Sequence, residues 1–241
     1  CHSGSMLGKY RDGGFAEYVS VPARNAFPVA EDVPFEQAAI AMCSSATAFH
    51  ALRKAEIVPG DRVAIFGVGG LGMSGVQLAR FFGAREVFAV DVDAGRLAMA
   101  AGYGAIPIDN RATDAVAEMR RQTDGAGVDV AVEFIGYPPT IRKAIEAVGI
   151  FGRVVVVGLS EKRVEIDPYN ELINREVKLI GCSDHLAQEL PLLLDLVRRK
   201  TLDLSKVVTN RVPLDAGAIN GVLDRLEQFG ANDVRTVVAP A

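Results

Sequence analysis

Hydrophobic positions between about residues 60 and 160 follow two alternating patterns. Short runs of β-branched residues end in Gly or Asp, and an amphipathic stretch with helical spacing follows each run. This alternation predicts parallel strands joined by helices, and the near-continuous apolar runs indicate a sheet covered on both faces. The predicted strands are 62–66, 86–90, 128–133 and 153–158, with a weaker one at 105–108. The predicted helices are 70–82, 94–101, 113–123 and 139–147.

The residue pattern differs on both sides of this region. Residues 1–30 carry paired glycines and two prolines around a loosely alternating run at 15–21, which predicts strand and turn. An Ala-rich stretch at 36–55 predicts a long helix. Later segments predict helices at 186–200 and 216–229 and strands at 207–212 and 234–238. We therefore expect an α/β protein with a doubly wound parallel sheet at 46–180, flanked by pieces of a second domain at 1–45 and 181–241.

Composition and charge narrow the kinds of partner. The 241 residues are 49% hydrophobic, which is typical of globular proteins and excludes a disulfide-stapled miniprotein. The balance of 26 Lys and Arg against 30 Asp and Glu gives a net charge of -4, and no basic stripe marks a surface for nucleic acid or anionic membrane. The longest uncharged apolar run, 63–79, contains five glycines and is shorter than the roughly 20 residues that span a bilayer. We expect a small-molecule partner, no nucleic acid and no membrane.

The cysteines indicate a reducing environment. Cys1, Cys43 and Cys182 are odd in number and far apart, which argues against a secreted disulfide framework and favours the cytoplasm. The chain opens on Cys1, without an initiator Met or a flexible leader. We therefore expect the sequence to be a piece of a longer protein.

The most informative motif is a glycine-rich turn between the first predicted strand and the helix after it. Gly67 permits a tight turn, Gly69 lets the backbone approach a pyrophosphate, and Gly72 lets helix and strand pack closely. The first turn of the helix, with Gly70 and Leu71, offers backbone N–H groups and a partial positive charge to phosphates. The motif predicts a dinucleotide site. The alternative is a turn that only packs the helix against the sheet.

An acidic residue at the end of the second predicted strand supports the dinucleotide interpretation. Asp91 lies 19 residues after Gly72, where a carboxylate can accept both ribose hydroxyls of NAD and would repel the 2′-phosphate of NADP. The nearest basic residue, Arg96, lies about one helical turn further on. We therefore expect NAD as the cofactor, with Asp91 and Arg96 at its adenosine end. The packing alternative gives no reason for Asp91.

Four segments in order carry a resemblance to a known family. They are Gly13-Gly-Phe-Ala-Glu-Tyr-Val, Ala38-Ala-Ile-Ala-Met-Cys43-Ser-Ser-Ala-Thr47, Pro59-Gly60-Asp61 and the Gly67 turn. Their combination resembles zinc-dependent medium-chain alcohol dehydrogenases of the threonine and sorbitol dehydrogenase type, over essentially the whole chain. The resemblance implies a Rossmann sheet inserted into a GroES-like catalytic domain, of which this chain would hold remnants. It also implies NAD(P)-dependent oxidation of an alcohol at zinc.

The resemblance assigns two residues of the long helix to the active site. Cys43 matches the third protein ligand of the catalytic zinc, and Thr47 matches a residue that packs at the nicotinamide face. A thiolate suits this task because it binds zinc tightly and leaves a position open for substrate. Without the resemblance, the sequence spacing favours the alternative that Cys43 is a small buried hydrophobic residue of an Ala-rich helix.

Other zinc ligands of the family have no match in this chain. Cys1 matches the last of four structural-zinc cysteines, and is otherwise an exposed thiol. Its three partners, the first catalytic Cys, the His-Glu pair and the proton-relay Ser/Thr and His are all without counterparts. His2, His50 and His185 have no ligand spacing and are interpreted as surface or hydrogen-bonded histidines.

The remaining resemblances concern the cofactor. Ile135, in Glu133-Phe-Ile135-Gly136, matches the adenosine side, and Val157-Gly158 matches a strand end beside the nicotinamide. Ile180 matches the return to the catalytic domain near the carboxamide, and Arg235 matches a late arginine that reaches a cofactor phosphate. The alternatives are ordinary sheet core and a solvated arginine.

Together these features predict a zinc-dependent, NAD-linked dehydrogenase of a secondary alcohol or polyol, present here as a fragment. We expect the chain to bind NAD and to have little or no dehydrogenase activity alone. One alternative is a zinc-free quinone or enone reductase of the same fold, against which Cys43, Cys1 and Asp91 argue. Another is a non-catalytic dinucleotide-binding module. The resemblance also implies a homodimer or homotetramer, paired through an edge strand near 176–180.

Overall fold

A six-stranded parallel sheet organises the part of the chain that the computed structural model describes, residues 6–227 and 234–239. Its strands are β1 (Arg62–Phe66), β2 (Glu86–Asp91), β3 (Ile106–Asp109), β4 (Val128–Glu133), β5 (Val148–Val156) and β6 (Lys178–Gly181). Their spatial order is β3-β2-β1-β4-β5-β6, with every neighbouring pair parallel. This is the doubly wound Rossmann order, which reverses direction beside β1 and leaves a crevice at the carboxyl ends of the strands.

The helices surround this sheet and extend beyond it. They are α1 (Phe35–Ile40), α2 (Ala46–Lys54), α3 (Gly70–Phe81), α4 (Ala94–Gly102), α5 (Ala115–Gln122), α6 (Pro138–Ala147), α7 (Leu190–Arg198) and α8 (Ala216–Glu227). A π-helical turn, Ala41–Ser45, joins α1 to α2 without a break, and a second π-helical turn covers Pro168–Ile173. Short 3-10 turns cover Ala23–Asn25 and Ala187–Glu189. None of the helices in the described ranges is both long and apolar enough to cross a membrane.

The core lies on both faces of the sheet because successive side chains of a strand point in opposite directions. In β1, Val63 and Ile65 pack into one cluster with α2, α3 and α7, while Ala64 and Phe66 pack into the other with α5 and α6. All four side chains are almost completely buried. Burial on both faces explains why these strands appear in the sequence as unbroken apolar runs.

A second, two-stranded parallel sheet lies outside the six-stranded one. Its strands are β7 (Val208–Pro213) and β8 (Arg235–Ala239). Glu36 of α1 accepts a hydrogen bond of 2.9 Å from Arg211 of β7, which joins this sheet to the helix that precedes β1. The expected domain limits at residues 45 and 180 stay a prediction, and the helical path is continuous across residue 45.

Most predicted elements of the central sheet are confirmed within two residues, and two predictions are wrong. The strand expected at 153–158 covers Val148–Val156 in the structure. The sequence did not indicate its first residues, because two glycines and the exposed Ile150 and Phe151 interrupt the apolar pattern there. No strand forms at 15–21, where Phe15 and Tyr18 are exposed and no described strand lies alongside to pair with them. The last two residues of the helix expected at 216–229 lie outside the described residues.

Candidate functional site

The glycine turn after β1 has the backbone geometry that its sequence predicts. Gly67 has a φ of 85°, a left-handed conformation that favours glycine, and its N–H donates to the Val90 carbonyl at 2.8 Å. Gly72 has no room for a side chain, because a Cβ there would overlap the Gly67 carbonyl oxygen. The turn therefore brings the backbone of α3 directly against the end of β1.

The N-terminus of α3 is left open to an anion. Met73 makes the first backbone bond of the helix, to the Gly69 carbonyl at 2.8 Å, and no side chain caps the preceding N–H groups. By contrast, Asp93 caps α4 and Asp114 caps α5 through their carboxylates. The turn at Gly70 and Leu71 therefore presents uncapped N–H groups at the positive end of a helix dipole, with no acidic side chain in that turn.

Asp91 is attached to the glycine turn at the end of β2. Its Oδ2 accepts from the Val68 N–H at 2.8 Å, and its Oδ1 accepts from the N–H groups of Val92 and Asp93 at 2.7 and 3.0 Å. A carboxylate has about four acceptor positions, so about one stays available to a ribose hydroxyl. The contact with two hydroxyls stays a prediction. The structural role of Asp91 as the anchor of the turn is a feature that the sequence interpretation missed.

Arg96 lies in the first turn of α4, next to the end of β2. Its backbone N–H donates to Asp93 Oδ1 at 2.8 Å, which completes the cap of that helix. The structure therefore places Arg96 and Asp91 on the same strand-to-helix connection, as the sequence spacing indicated.

A second buried carboxylate, Glu133, lies at the end of β4. It accepts from the N–H groups of Ile135 and Gly136 at 3.1 and 2.9 Å, and from the Thr140 hydroxyl at 2.6 Å. Burial raises the pKa of Glu133, and these hydrogen bonds oppose the rise. Glu133 thereby holds the loop that carries Ile135. The signal available in the sequence was an acid ending a buried strand three residues before a glycine.

The predicted cofactor residues of β4, β5 and β6 meet at the same edge of the sheet. Ile135 is about half exposed and touches the space that a Gly67 side chain would fill. The N–H groups of Val157 and Gly158 donate to the Glu133 carbonyl at 2.9 and 3.1 Å. Ile180 lies in β6, packed against the main core. These positions lie along the crevice at the carboxyl ends of the strands.

Cys43 and Thr47 lie on the helix that precedes β1, in different environments. Cys43 lies in the π-helical turn and is exposed, while Ser44, Ser45 and Thr47 are buried. π-helical turns are rare and occur mostly at functional sites. Ser45 Oγ lies 2.9 Å from Ser74 Oγ, so the turn is hydrogen-bonded to α3.

Arg235 of β8 reaches across to the first turn of α3. Its Nη2 donates to Ser44 Oγ at 2.9 Å, and its Nε is buried without a partner among the described residues. The guanidinium lies against Gly70, where a Cβ would overlap it. Burial lowers the pKa of Arg235, and the neighbouring Cys43 opposes that shift. An unsatisfied cationic N–H beside an open helix N-terminus fits a phosphate.

A cleft of about 1350 Å³ opens beside this arginine. Cys43, Ser44 and Arg235 line one part of it, and the apolar face of α8, with Ile219 and Val222, lines another. The space adjoins the π-helical turn, so a molecule in the cleft would lie close to the Cys43 thiol.

The described residues fit a dinucleotide but not a catalytic zinc. A catalytic zinc needs three protein ligands, and no group of three His, Cys, Asp or Glu side chains that could hold a metal occurs in the described ranges. His50 Nδ1 lies 3.0 Å from Glu189 Oε1, as expected of a hydrogen-bonded histidine. His185 Nδ1 lies 2.6 Å from Asp184 Oδ1 but is buried without a hydrogen bond among the described residues, so the prediction is confirmed for His50 and not for His185. Cys1 and His2 lie outside the described residues. The predicted structural-zinc role of Cys1 therefore stays a prediction. Cys43 is therefore one candidate donor without described partners.

The strand order, the glycine turn and the acid that ends β2 define the Rossmann class of α/β proteins. The sequence pattern of the family described as zinc-binding dehydrogenase matches residues 70–199. The chain belongs to this zinc-binding dehydrogenase family.

Named relatives agree with this membership. The chain is 36% identical over 206 residues to (R,R)-butanediol dehydrogenase of Bacillus subtilis strain 168, covering 84% of this chain and 58% of that protein. It is 32% identical to L-threonine 3-dehydrogenase of Symbiobacterium thermophilum, covering 89% of this chain and 62% of the relative. The chain thus spans less than two thirds of the length of either relative.

Solved structures confirm the fold class, a Rossmann-type α/β fold with a parallel sheet. The crystal structure of 2R,3R-butanediol dehydrogenase from Bacillus subtilis superposes with a TM-score of 0.88 at 33% identity, covering 98% of this chain and 67% of that one. A zinc-binding dehydrogenase from Sinorhizobium meliloti, bound to NADP, gives a TM-score of 0.88 at 29% identity, covering 97% and 68% of the two chains.

Proposed function

We propose that this chain binds a nicotinamide dinucleotide and is the cofactor-binding part of a dehydrogenase acting on a secondary alcohol or polyol. The observation that supports it best is the convergence of three groups on one turn. The uncapped start of α3, the Asp91 carboxylate and the unpartnered Arg235 Nε all adjoin the Gly67–Gly72 loop. Family membership and the named relatives support the alcohol substrate.

The proposal gives each part of the site a task. The N–H groups of α3 and the Arg235 guanidinium hold the pyrophosphate, and Asp91 accepts from the adenosine ribose. Ile135 packs on the adenosine side. The residues proposed to border the nicotinamide are Thr47, Val157, Gly158 and Ile180. When bound, the nicotinamide supplies the acceptor for a hydride from the alcohol carbon.

We propose NAD rather than NADP as the cofactor. The buried Asp91 carboxylate carries a negative charge where a 2′-phosphate would have to lie. The Sinorhizobium meliloti relative was solved bound to NADP, so the choice of NAD rests on Asp91 and not on family membership. Asp91→Asn removes the charge and keeps the size. We expect it to raise the affinity for NADPH relative to NADH at least about tenfold.

The direct experiment is a parallel titration of the purified chain with NADH and NADPH. Nicotinamide fluorescence reports binding, and circular dichroism reports folding. We expect NADH to bind and NADPH to bind much more weakly. A folded sample that binds neither dinucleotide contradicts the proposed function. Equal affinity for the two dinucleotides contradicts only the choice of NAD.

A non-catalytic dinucleotide-binding module is the second candidate, and the lack of a three-ligand metal cluster among the described residues favours it. We therefore propose that the chain alone binds the dinucleotide with little or no turnover. The test adds 2,3-butanediol, NAD and zinc to the purified chain and follows NADH absorbance. Turnover that depends on Cys43 and on zinc would contradict the proposal for the isolated chain.

We also propose a homodimer or homotetramer paired through the free edge of β6. The exposed Ile150 and Phe151 of β5 and Leu179 of β6 form an apolar margin along that side of the sheet. Light scattering after gel filtration measures the mass. Leu179→Lys would leave the fold intact and shift the species toward monomer. A monomeric wild-type chain would contradict this assembly.

A further inference from the structure

We propose that Ser44 is a positioning residue for the phosphate end of the dinucleotide, acting through Arg235. Its hydroxyl accepts a hydrogen bond of 2.9 Å from Arg235 Nη2 and so holds the guanidinium at the first turn of α3. The proposal rests on the proposed function, since the ligand it concerns is the pyrophosphate of the dinucleotide.

The π-helical turn gives Ser44 a different neighbour from the residues on either side of it. Cys43 is exposed and lines the cleft, while Ser45 lies against Ser74 of α3. Ser44 itself is only 4% exposed, and its hydroxyl meets a residue 191 positions later in the chain. Cys43 therefore faces the cleft, Ser44 contacts Arg235, and Ser45 contacts α3.

The guanidinium is held between Ser44 and the glycine turn. It fills the space above Gly70, so any side chain at Gly70 would displace it. Its Nε is buried and has no partner in the described ranges. A buried N–H of an arginine is costly to leave unpaired, and the adjacent N–H groups of α3 are donors that cannot satisfy it. A phosphate oxygen that reached this N–H would supply the acceptor that it lacks.

The group that positions Arg235 is a neutral hydroxyl, and this affects how the guanidinium can bind a phosphate. A carboxylate at this point would neutralise the guanidinium and occupy two of its N–H groups. The Ser44 hydroxyl accepts one hydrogen bond and leaves the positive charge for a ligand. The long Arg235 side chain is already oriented by Ser44, so it loses less conformational freedom when a phosphate binds. Ser44 therefore sets the position of Arg235 without competing for its charge.

The experiment compares variants by their affinity for NADH and for adenosine, which lacks a pyrophosphate. We expect Ser44→Ala to weaken NADH binding about fivefold and to leave adenosine binding unchanged. Ser44→Thr keeps the hydroxyl and should bind NADH within about twofold of the wild type. On an Arg235→Met background, Ser44→Ala should cause no further loss, because the two residues act as one unit.

Ser45→Ala is the matched control, since it removes a hydroxyl from the next residue of the same turn. Its partner is Ser74 rather than Arg235, so it should lower the unfolding temperature and leave NADH affinity unchanged. Should Ser44→Ala fail to fold, Ser44→Cys replaces it. A thiol has nearly the size of the hydroxyl but is a weak acceptor, and we expect about fivefold weaker NADH binding with adenosine binding unchanged.

The outcomes separate the two proposals. A folded wild-type chain that binds no NADH overturns the proposed function and this inference with it. If the wild type binds NADH and Ser44→Ala binds it equally well, only the role of Ser44 is overturned. An equal loss for NADH and adenosine, or an additive loss on the Arg235→Met background, also overturns it, since a general structural defect would produce either result.

Discussion

Gly72 shows how a single missing side chain sets the distance between a helix and a strand. Its Cα faces the Gly67 carbonyl oxygen at a separation that leaves no space for a methyl group. We expect Gly72→Ala to lower the free energy of unfolding by about 2–3 kcal/mol, because the backbone on either side must shift. Urea denaturation measures the change.

Gly102→Ala is the control for that substitution. Gly102 ends α4, and nothing lies within 4 Å of the position its Cβ would occupy. Alanine there should leave stability unchanged or raise it by up to about 1 kcal/mol. Equal losses in the two variants would show that close packing at Gly72 is not the cause.

Glu133 makes stability depend on pH. Burial raises its folded-state pKa above the ordinary value of 4.5, so the folded protein holds this proton to a higher pH than the unfolded chain does. The free energy of unfolding should therefore fall as pH rises from 4.5 through the raised pKa. Glu133→Gln removes the ionisation and should flatten this part of the profile.

The measurement is urea denaturation of both proteins at several pH values from about 4.5 to 7. The difference between the two profiles isolates Glu133, because the other titrating groups are common to both. Parallel profiles would mean that Glu133 has the same pKa in the folded and unfolded chains.

At the scale of elements, a single side chain attaches α3 to the segment before β7. The Gln77 amide donates to the Asp203 carbonyl at 3.0 Å and accepts from the Asp203 N–H at 2.8 Å. We expect Gln77→Met to lower the free energy of unfolding by about 1–3 kcal/mol. The Asp203 N–H loses its partner, and the Asp203 carbonyl keeps only the bond from the Tyr103 hydroxyl at 3.2 Å among the described residues. Thermal and urea denaturation report the loss.

Gln122→Met provides the comparison for that variant. Among the described residues, the Gln122 amide donates to Glu118, one turn earlier on α5, at 2.7 Å. Its loss should stay within about 0.5 kcal/mol. A matching effect at the two positions would indicate that the Asp203 contact contributes little.

Most elements of the central sheet were predictable because local sequence encodes them. Strand β1 consists of Arg62 followed by four apolar residues, and the glycine turn follows them directly. The start of β5 was not predictable, since Phe151 there takes a left-handed φ of 60° and points into solvent. The strand expected at 15–21 failed because alternation describes a strand only where a neighbouring strand is present to pair with it.

In the candidate site, too, only contacts between residues close in the sequence were predictable. Asp91 and the glycines lie within about 25 residues of one another, so spacing alone indicated their proximity. The contacts of Ser44 with Arg235 and of Gln77 with Asp203 join residues 191 and 126 positions apart. Only the folded chain brings them together, and nothing in their local sequence signals a partner.

At the scale of the whole molecule, ligand binding and metal binding should have different effects on stability. The described residues contain an uncapped helix N-terminus and an unpartnered arginine N–H, which we propose hold the phosphates, and one candidate donor for zinc. A ligand at 100 times its dissociation constant stabilises the fold by about 2.7 kcal/mol. For a chain of this size, NADH at that concentration should raise the unfolding temperature by roughly 5–10 °C.

Zinc at micromolar concentration should leave the unfolding temperature unchanged within about 1 °C, since a single thiolate is not a zinc site. Differential scanning fluorimetry with NADH, with zinc and with both tests this. A shift with zinc that disappears in Cys43→Ala would show that the chain completes a metal site with residues outside the described ranges.

The anchoring of Asp91 constrains how cofactor preference could change over time. Its carboxylate accepts from three backbone N–H groups that shape the glycine turn, and the same charge repels a 2′-phosphate. A mutation to a small neutral residue would admit NADP and at once leave those N–H groups without an acceptor. If the cofactor is NAD, as we propose, a lineage moving toward NADP would therefore need a compensating acceptor before it could lose this carboxylate.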